Sequence, residues 1–286
     1  YEQMKHTRVL FSFGSKYGGM HLSKMLRQQL LDDLLEDGWT DAHVYIDAVN
    51  LNLEPRPPGA FWPEEGNLNF VLNHHWAEYY TMGVLVCHTL VIVLDQAWLT
   101  SQFCGGELRQ FCANFKRAFA EAQQQKAGHI PGSHFKLVVL YDAAAEEVAG
   151  KAAAAGDRSL AANLEEFRRL QSLPAKQSGQ QQQQTQRDVT FIPVRFDLEY
   201  GQDIDKLFQA GANFVEKDKL QAASAGICFK QLTNPSKQNG YDKLLEAVRA
   251  STAGQLEQHP DPDAEVDTQG YAALYEKHWK ARALSQ

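Results

Sequence analysis

The feature that most constrains the fold is a set of five short apolar runs, rich in β-branched residues, that recur along the chain. Segments of helical period separate them, among them residues 21–35 and 108–119, whose apolar side chains repeat at i, i+3, i+4 and i+7. Such alternation predicts an α/β fold with a flavodoxin-like, doubly wound, five-stranded parallel sheet. The runs are Arg8–Phe13, His43–Asp47, Thr89–Asp95, Lys136–Asp142 and Thr190–Asp197.

Three segments break this rhythm and define the expected domain organisation. Ala48–Gly66 holds four of the ten prolines and no periodicity, so we expect a long loop after the second strand. Residues 143–187 are expected to form a low-complexity insert that begins Ala-rich, contains a helix at Leu160–Leu170 and ends in a glutamine tract. The main domain is expected to span residues 1–215, followed by a helical C-terminal appendage or linker at residues 216–286.

Charge and composition exclude several classes of function. Lys and Arg number 28 against 35 Asp and Glu, a net charge of −7, so no nucleic-acid partner is expected. No apolar run approaches the roughly 18–20 residues of a membrane span, so no membrane partner is expected either. The four cysteines form no C-x-x-C pair and no zinc spacing, which predicts reduced thiols in a cytoplasmic protein; they are Cys87, Cys104, Cys112 and Cys228.

Metal and triad chemistry find little support in the sequence. His74 and His75 would face opposite ways on a helix, and no carboxylate follows them at i+4. Ser12 and Ser101 lack the G-x-S-x-G elbow of a hydrolase nucleophile. We therefore expect neither a metal site nor a hydrolase triad.

The carboxyl ends of the strands are where an open α/β sheet binds its ligands. The Gly-rich turn Phe13–Gly19 follows the first run; it is neither G-x-G-x-x-G nor a Walker A loop, and it either binds a phosphate or only leads into the first helix. Asp95 ends the third run, where a receiver domain carries its phosphoacceptor. A receiver domain also needs an acidic pair after the first strand and a Lys after the fifth, and this chain has Gly-Ser and Asp-Leu there. The receiver interpretation therefore fails.

The segment DQAWLTSQFCGGEL, residues 95–108, carries the most specific signal. Thr100 or Ser101 can cap a helix that starts near Gln102. On that helix Glu107 lies about 100° from the centre of the apolar stripe, at the edge of the buried face and near the strand ends. A carboxylate there suits the stabilisation of an oxocarbenium-like charge, or the binding of ribose hydroxyls, in N-glycosidic cleavage. The alternative is a surface carboxylate favoured by the helix dipole.

Three patches of the sequence, in order, resemble a Toll/interleukin-1 receptor (TIR) domain. They are RVLFSFGSK at residues 8–16, the strand end Tyr45–Asp47, and TLVIVLDQAWLTSQFCGGELRQF at residues 89–111. The third patch is the specific one, because it follows the family's pattern of a strand running into "xxYLxSxWCxxEL". The patches lie within about residues 8–120, and the later runs continue the expected TIR fold to about residue 215.

The resemblance implies catalysis on NAD+. Enzymatic TIR domains break the nicotinamide–ribose bond with a Glu at the position of Glu107, and release nicotinamide with ADP-ribose or a cyclic isomer in immune or cell-death signalling. NAD+ is then a substrate, no cofactor is implied, and self-association through TIR domains completes the site. The resemblance, with the aromatic side chains beside the motif, places the nucleotide against Phe13, Gly14, Ser15, Asp47, Trp98 and Phe103.

Two departures from the family's pattern keep alternatives open. Enzymatic members commonly have Trp where this chain has Phe103, which keeps an aromatic wall and loses an indole donor. The strand before the motif usually ends in Ser, and here Asp95 adds a carboxylate near Glu107. One alternative is a non-catalytic scaffold that acts through TIR–TIR assembly. Another, an enzyme like a nucleoside deoxyribosyltransferase, shares the sheet and the carboxylate but takes a different substrate.

Overall fold

A computed structural model of the 286-residue chain describes residues 6–14, 16–46, 83–84, 86–101, 104–112, 135–156, 158–171, 189–196, 206, 214–234 and 240–252. The predicted loop at Ala48–Gly66 and the glutamine tract lie outside the described residues. So do three residues of the predicted nucleotide site, namely Ser15, Asp47 and Phe103.

The five apolar runs form the five strands of one sheet. They are β1 (Val9–Phe13), β2 (Val44–Tyr45), β3 (Thr89–Leu94), β4 (Lys136–Tyr141) and β5 (Val189–Pro193). Every neighbouring pair is parallel and the order is β2-β1-β3-β4-β5. The predicted five-stranded parallel sheet is confirmed, and its order is consistent with a flavodoxin-like topology.

Five of the described helices lie between strands along the chain, and two follow the last strand. They are α1 (Gly19–Leu34), α2 (Gln96–Thr100), α3 (residues 104–112), α4 (Ala143–Ala154), α5 (Arg158–Gln171), α6 (Phe214–Leu232) and α7 (Gly240–Thr252). The periodicity predicted over residues 21–35 becomes α1, and the helix predicted at Leu160–Leu170 lies within α5. Among the described helices none is long and apolar enough to cross a membrane.

Alternating strand residues feed two hydrophobic layers, one on each face of the sheet. Val9, Phe11 and Val91 pack with α1, α6 and α7, and all three are fully buried. Leu10 and Leu90 point to the opposite layer, which is covered by α2, α3, α4 and α5. Both faces of the sheet are therefore closed, which explains why its strands are apolar at consecutive positions.

The segment predicted as a low-complexity insert begins with two helices that cover the sheet. Its Ala-rich start is α4, and α5 follows after a turn at Gly156, whose φ is 94°. Helix α5 buries Leu160, Leu164 and Phe167 in the layer below β3 and β4. These helices therefore form an ordinary crossover between two parallel strands, and residues 157 and 172–188 of this connection lie outside the described residues.

The helices beyond residue 215 are part of the hydrophobic core. Cys228 on α6 and Leu244 and Val248 on α7 have no exposed surface, and they pack with the inward residues of β1, β3 and β4. The Tyr241 hydroxyl donates a hydrogen bond of 2.6 Å to Asp33 Oδ2 on α1. From the sequence we expect an appendage or linker in this region, with a domain boundary at residue 215, and that boundary stays a prediction. In the structure, α6 and α7 complete one hydrophobic layer of the sheet.

Candidate active site

The candidate site lies at the carboxyl edge of the sheet, where the chain leaves β1 and β3. These two strands are neighbours although β2 lies between them in sequence, so their connections diverge at this point. In open α/β sheets this topological switch point forms the crevice that binds ligands. Phe13 and Gly14 stand at the end of β1, and Asp95 directly follows β3.

Asp95 is a buried carboxyl that caps helix α2. Its Oδ1 accepts a hydrogen bond of 2.7 Å from the backbone N–H of Trp98, which makes Asp95 the N-cap of this helix. The side chain is only 2% exposed. Burial raises the pKa of Asp95 to about 7, and the charge of Asp142, at the end of β4, adds to the effect.

The second oxygen of Asp95 lies beside the start of α1. A Cβ built on Gly19 would stand 3.5 Å from Asp95 Oδ2 and 2.7 Å from the carbonyl oxygen of Gly14. The Asp95 carboxyl group therefore lies next to the first turn of α1, close to the residue that follows β1. Helix α1 begins at Gly18 without a side-chain cap.

Trp98 ties the end of β1 to helix α2. It has no exposed surface, and its indole Nε1–H donates a hydrogen bond of 2.9 Å to Ser12 Oγ, which is also fully buried. Trp98 therefore supports the site from behind, where it fixes Ser12 next to Phe13. The contact predicted between Trp98 and the nucleotide stays a prediction.

Gly14 allows the turn after β1 to approach α2 closely. A Cβ at this position would stand 2.6 Å from both Ala97 Cβ and the backbone nitrogen of Trp98, closer than real side chains pack. Gly14 itself is buried. The glycine predicted for nucleotide binding therefore has a steric role as well, which is to let the backbones of two connections meet.

Ser101 caps the helix that carries the candidate carboxylate, as predicted. Its Oγ accepts a hydrogen bond of 3.3 Å from the backbone N–H of Cys104, and its carbonyl oxygen accepts one of 3.2 Å from Gly105. Thr100 stays within α2, where its hydroxyl donates to the Ala97 carbonyl oxygen at 3.0 Å. The described part of α3 then begins at Cys104, one turn before Glu107.

Glu107 lies at the edge of the buried face of α3. The next residue, Leu108, is only 2% exposed, and Arg109 is exposed to solvent. Glu107 is half-buried, so its burial is intermediate between theirs. Its Oε2 is buried. Burial is the main cause that raises the pKa of Cys104 and of Cys87, and the charge of Glu107 adds to both shifts. The helical wheel correctly predicted this intermediate burial of Glu107, in which one oxygen of the carboxylate is shielded from solvent.

Cys104 connects the carboxylate helix to the end of β1. Its Sγ–H donates to the carbonyl oxygen of Phe13 at 3.5 Å, and the side chain is 5% exposed. Burial raises the pKa of the Cys104 thiol, and the charges of Glu107 and Asp95 act in the same direction. Cys104 therefore lies within electrostatic range of both carboxyl groups and stays a neutral thiol near neutral pH.

Asn163 is a site residue that sequence reasoning missed. It is buried on α5, and its Nδ2–H donates to the carbonyl oxygens of Leu99 at 2.7 Å and Ser101 at 3.3 Å. A Cβ at Gly105 would overlap Asn163 Oδ1, which explains the first glycine of the CGGEL sequence. The available signal was a polar residue inside the apolar stripe of α5, at i+3 from Leu160.

The structure brings together three of the seven predicted site residues, and it describes a fourth, Glu107, on a neighbouring helix. Phe13, Gly14 and Trp98 meet at the junction of β1 and α2, and Glu107 follows Cys104 on α3, one turn from the contact with Phe13. The remaining predictions, for Ser15, Asp47 and Phe103, are outside the residues described. Across the described part of the chain, no group of three or more His, Cys, Asp or Glu side chains could hold a metal ion.

No protein-family model matches the sequence, and a search of the curated proteins finds no match.

Proposed function

We propose that this protein is an NAD+ glycohydrolase of the TIR type, with Glu107 as its catalytic carboxylate. The observation that carries the proposal is the half-buried Glu107 on a helix capped by Ser101 and joined through Cys104 to the end of β1. The Cys104 contact links the helix that carries this carboxylate to the switch point of a parallel sheet, where ligands bind in such folds, and this supports the proposal. The motif resemblance at residues 89–111 supplies the substrate and the reaction.

In the proposed reaction the bond between nicotinamide nitrogen and the ribose anomeric carbon breaks, and its electron pair leaves with neutral nicotinamide. Glu107 binds the ribose hydroxyls and stabilises the positive charge that develops on the ribose. Water then attacks the anomeric carbon and loses a proton to give ADP-ribose. Attack by an adenine nitrogen of the same molecule gives a cyclic isomer instead.

The surroundings of Glu107 support this role. One carboxylate oxygen of Glu107, Oε2, is buried, so solvent is limited on that side, which strengthens the interaction between the carboxylate and a cationic ribose. Asp95 has a pKa of about 7, so near neutral pH it adds less than a full negative charge to the crevice. Product identity then depends on whether water or adenine reaches the anomeric carbon first.

The proposal is tested by comparing Glu107→Gln with Glu246→Gln. Glu246 is an exposed carboxylate on α7, on the opposite face of the sheet, so its variant controls for the loss of one negative charge. We expect wild type and Glu246→Gln to release nicotinamide from NAD+ at equal rates. Glu107→Gln should be slower by at least about 10²-fold, the scale for loss of an electrostatic catalytic group. Equal rates in all three proteins would contradict the role of Glu107.

A second candidate function, a TIR scaffold without catalysis, is favoured by one observation. Most of the motif residues that the structure describes make structural contacts, since Asp95 caps α2, Trp98 holds Ser12, and Ser101 caps α3. A scaffold needs only such structural contacts, whereas an enzyme needs catalytic groups in addition. The scaffold predicts no nicotinamide release by wild type at any protein concentration, together with self-association that Glu107→Gln leaves unchanged.

The proposed setting follows from the same resemblance. NAD+ cleavage by a cytoplasmic protein that assembles through its TIR domains serves immune or cell-death signalling. Assembly would then raise the activity, because neighbouring copies complete the site. The initial rate of nicotinamide release, divided by protein concentration, is expected to increase with concentration.

A further inference from the structure

Helix α6 holds the turn that follows β1. Gln221, which is 7% exposed, donates a hydrogen bond of 2.6 Å from its Nε2 to the carbonyl oxygen of Lys16. The two residues are 205 positions apart in sequence. A short hydrogen bond from a buried amide to a turn carbonyl fixes the backbone at that point.

The same turn is pressed against the backbone of α6. Gly18 has a φ of 95° and ψ of 6°, the left-handed conformation that glycine adopts at little cost. A Cβ on Gly18 would stand 2.5 Å from the backbone carbonyl oxygen of Gln221, so no side chain fits between the turn and the helix. One turn into α1, His21 Nε2 lies 2.9 Å from Asp218 Oδ1, also on α6.

The other end of this turn belongs to the candidate site. Phe13 and Gly14 shortly precede Lys16, and both contact residues 95–108. The Phe13 carbonyl oxygen accepts a hydrogen bond from Cys104. Gly14 lies close to Ala97 and Trp98. The turn is therefore held between two anchors, α6 on one side and the helices that follow β3 on the other. Release of one anchor frees the backbone at the crevice.

We propose that Gln221 is a positioning residue of the candidate site, which acts through the Lys16 carbonyl to hold the turn between β1 and α1. The assignment rests on the proposed NAD+ cleavage for its kinetic consequence, and on the contacts of the turn for its structural one. It makes α6, a helix distant in sequence from every motif residue, part of the binding machinery. Movement of α6 would then change how the crevice binds the dinucleotide.

Gln231 provides a matched control on the same helix. Its side chain also bonds to a backbone, since its Oε1 accepts from Arg195 N at 3.1 Å and its Nε2 donates to Arg195 O at 3.0 Å. Arg195 follows β5, at the edge of the sheet away from β1. Loss of either glutamine therefore removes side-chain hydrogen bonds of α6, and only the loss of Gln221 releases the turn.

The experiment compares the full-length variants Gln221→Ala, Gln221→Met and Gln231→Ala with wild type. Met keeps most of the volume of Gln and removes the donor, so it serves if Gln221→Ala fails to fold. The first measurement is backbone amide exchange, by mass spectrometry, in peptides covering residues 13–21. The second is the steady-state rate of nicotinamide release at varied NAD+ concentration.

We expect both Gln221 variants to exchange about tenfold faster in residues 13–21, which corresponds to loss of one hydrogen bond. Their KM for NAD+ should rise about tenfold while kcat stays within about threefold, because the turn contributes to binding rather than to bond cleavage. Gln231→Ala should change neither quantity. If the side-chain hydrogen bonds of α6 only stabilised the fold in general, Gln221→Ala and Gln231→Ala would change amide exchange and KM by similar amounts.

Three results would overturn or separate the claims. Unchanged exchange in the Gln221 variants would overturn the proposal, whatever the kinetics. Faster exchange with an unchanged KM would show that Gln221 holds the turn without positioning the site, and would overturn the proposal while NAD+ cleavage stands. If wild type releases no nicotinamide, the proposed function fails, and the exchange comparison alone decides whether Gln221 holds the turn.

Discussion

The two carboxyl groups of the candidate site, Asp95 and Glu107, differ in their exposure. Asp95 is fully enclosed, with one oxygen bonded to the backbone of Trp98, whereas Glu107 is half-buried at the edge of its helix. Burial without a cationic partner favours the neutral form of a carboxyl group. The charge of Asp95 therefore changes close to neutral pH.

The raised pKa of Asp95 predicts that wild-type stability falls as pH rises. The pKa is about 7 in the folded chain against about 3.9 unfolded, so the folded state holds the proton more tightly. The stabilisation is complete below about pH 4 and is lost as pH rises through about 7. Between pH 5 and 8 the free energy of unfolding of wild type should decrease by about 2–3 kcal/mol relative to Asp95→Asn.

Asp95→Asn is a suitable comparison because its Oδ1 can still accept from the Trp98 N–H while its Nδ2 resembles the protonated acid. Urea unfolding of both proteins across this pH range measures the difference directly. A constant difference between them from pH 5 to 8 would show that Asp95 titrates outside this range.

At the residue scale, local pattern predicted some roles and missed others. The cap at Ser101 and the intermediate burial of Glu107 depend on neighbours within one helical turn, so the sequence was sufficient for both. Asn163 was missed because its bonds to Leu99 and Ser101 join residues more than 60 positions apart. No local pattern specifies which helix covers the junction of α2 and α3.

At the scale of elements, the turn between β1 and α1 is defined by close backbone contacts. The sequence left two possibilities for its glycines, a phosphate-binding turn and a flexible connection. The structure adds a steric explanation, since Gly14 meets α2 and Gly18 meets α6 with no room for a Cβ. Such contacts need the final packing of three helices, which a local sequence pattern does not contain.

Gly18→Ala and Gly38→Ala form a matched pair that measures this packing. Both glycines have positive φ, 95° and 82°, but a Cβ on Gly38 would meet no atom within 4 Å. We expect Gly38→Ala to cost about 1 kcal/mol of unfolding free energy, the backbone contribution alone. Gly18→Ala should cost about 3 kcal/mol, because the new Cβ also pushes the Gln221 carbonyl.

Chemical denaturation followed by circular dichroism gives both values. Equal losses for the two variants would mean that the turn and α6 separate easily, and would weaken the case for Gln221 as well.

At the scale of the whole molecule, the C-terminal helices close one face of the sheet. The alternation of apolar runs was sufficient to predict five parallel strands, because the period and length of each run are local properties. The place of α6 and α7 was harder to predict. Helix α6 buries the polar Gln221 and Ser224 and exposes Val215, so no clean apolar stripe marks its inner face. The apolar residues of both helices, including Cys228 and Leu244, pack against strands that lie far earlier in the sequence, such as β1 and β3.

Leu244→Ala tests whether α7 belongs to the core. Leu244 has no exposed surface and belongs to the layer in which α7 packs against β3, β4 and β5, so its truncation should cost about 3 kcal/mol of unfolding free energy. Lys243→Ala, the exposed neighbour on the same helix, should stay within about 0.5 kcal/mol of wild type. A loss below about 1 kcal/mol for Leu244→Ala would indicate that α7 unfolds separately from the sheet.

The central claim, that this chain cleaves NAD+ at a site built around Glu107, is tested most directly by one proton NMR time course. Wild type and Glu107→Gln, each at low and at high protein concentration, are incubated with NAD+ in parallel tubes, so that nicotinamide, ADP-ribose and cyclic products are observed together. We predict that wild type releases nicotinamide, at a rate per protein molecule that is higher at high protein concentration, and that Glu107→Gln releases almost none. NAD+ that stays intact with concentrated, folded wild type would contradict it.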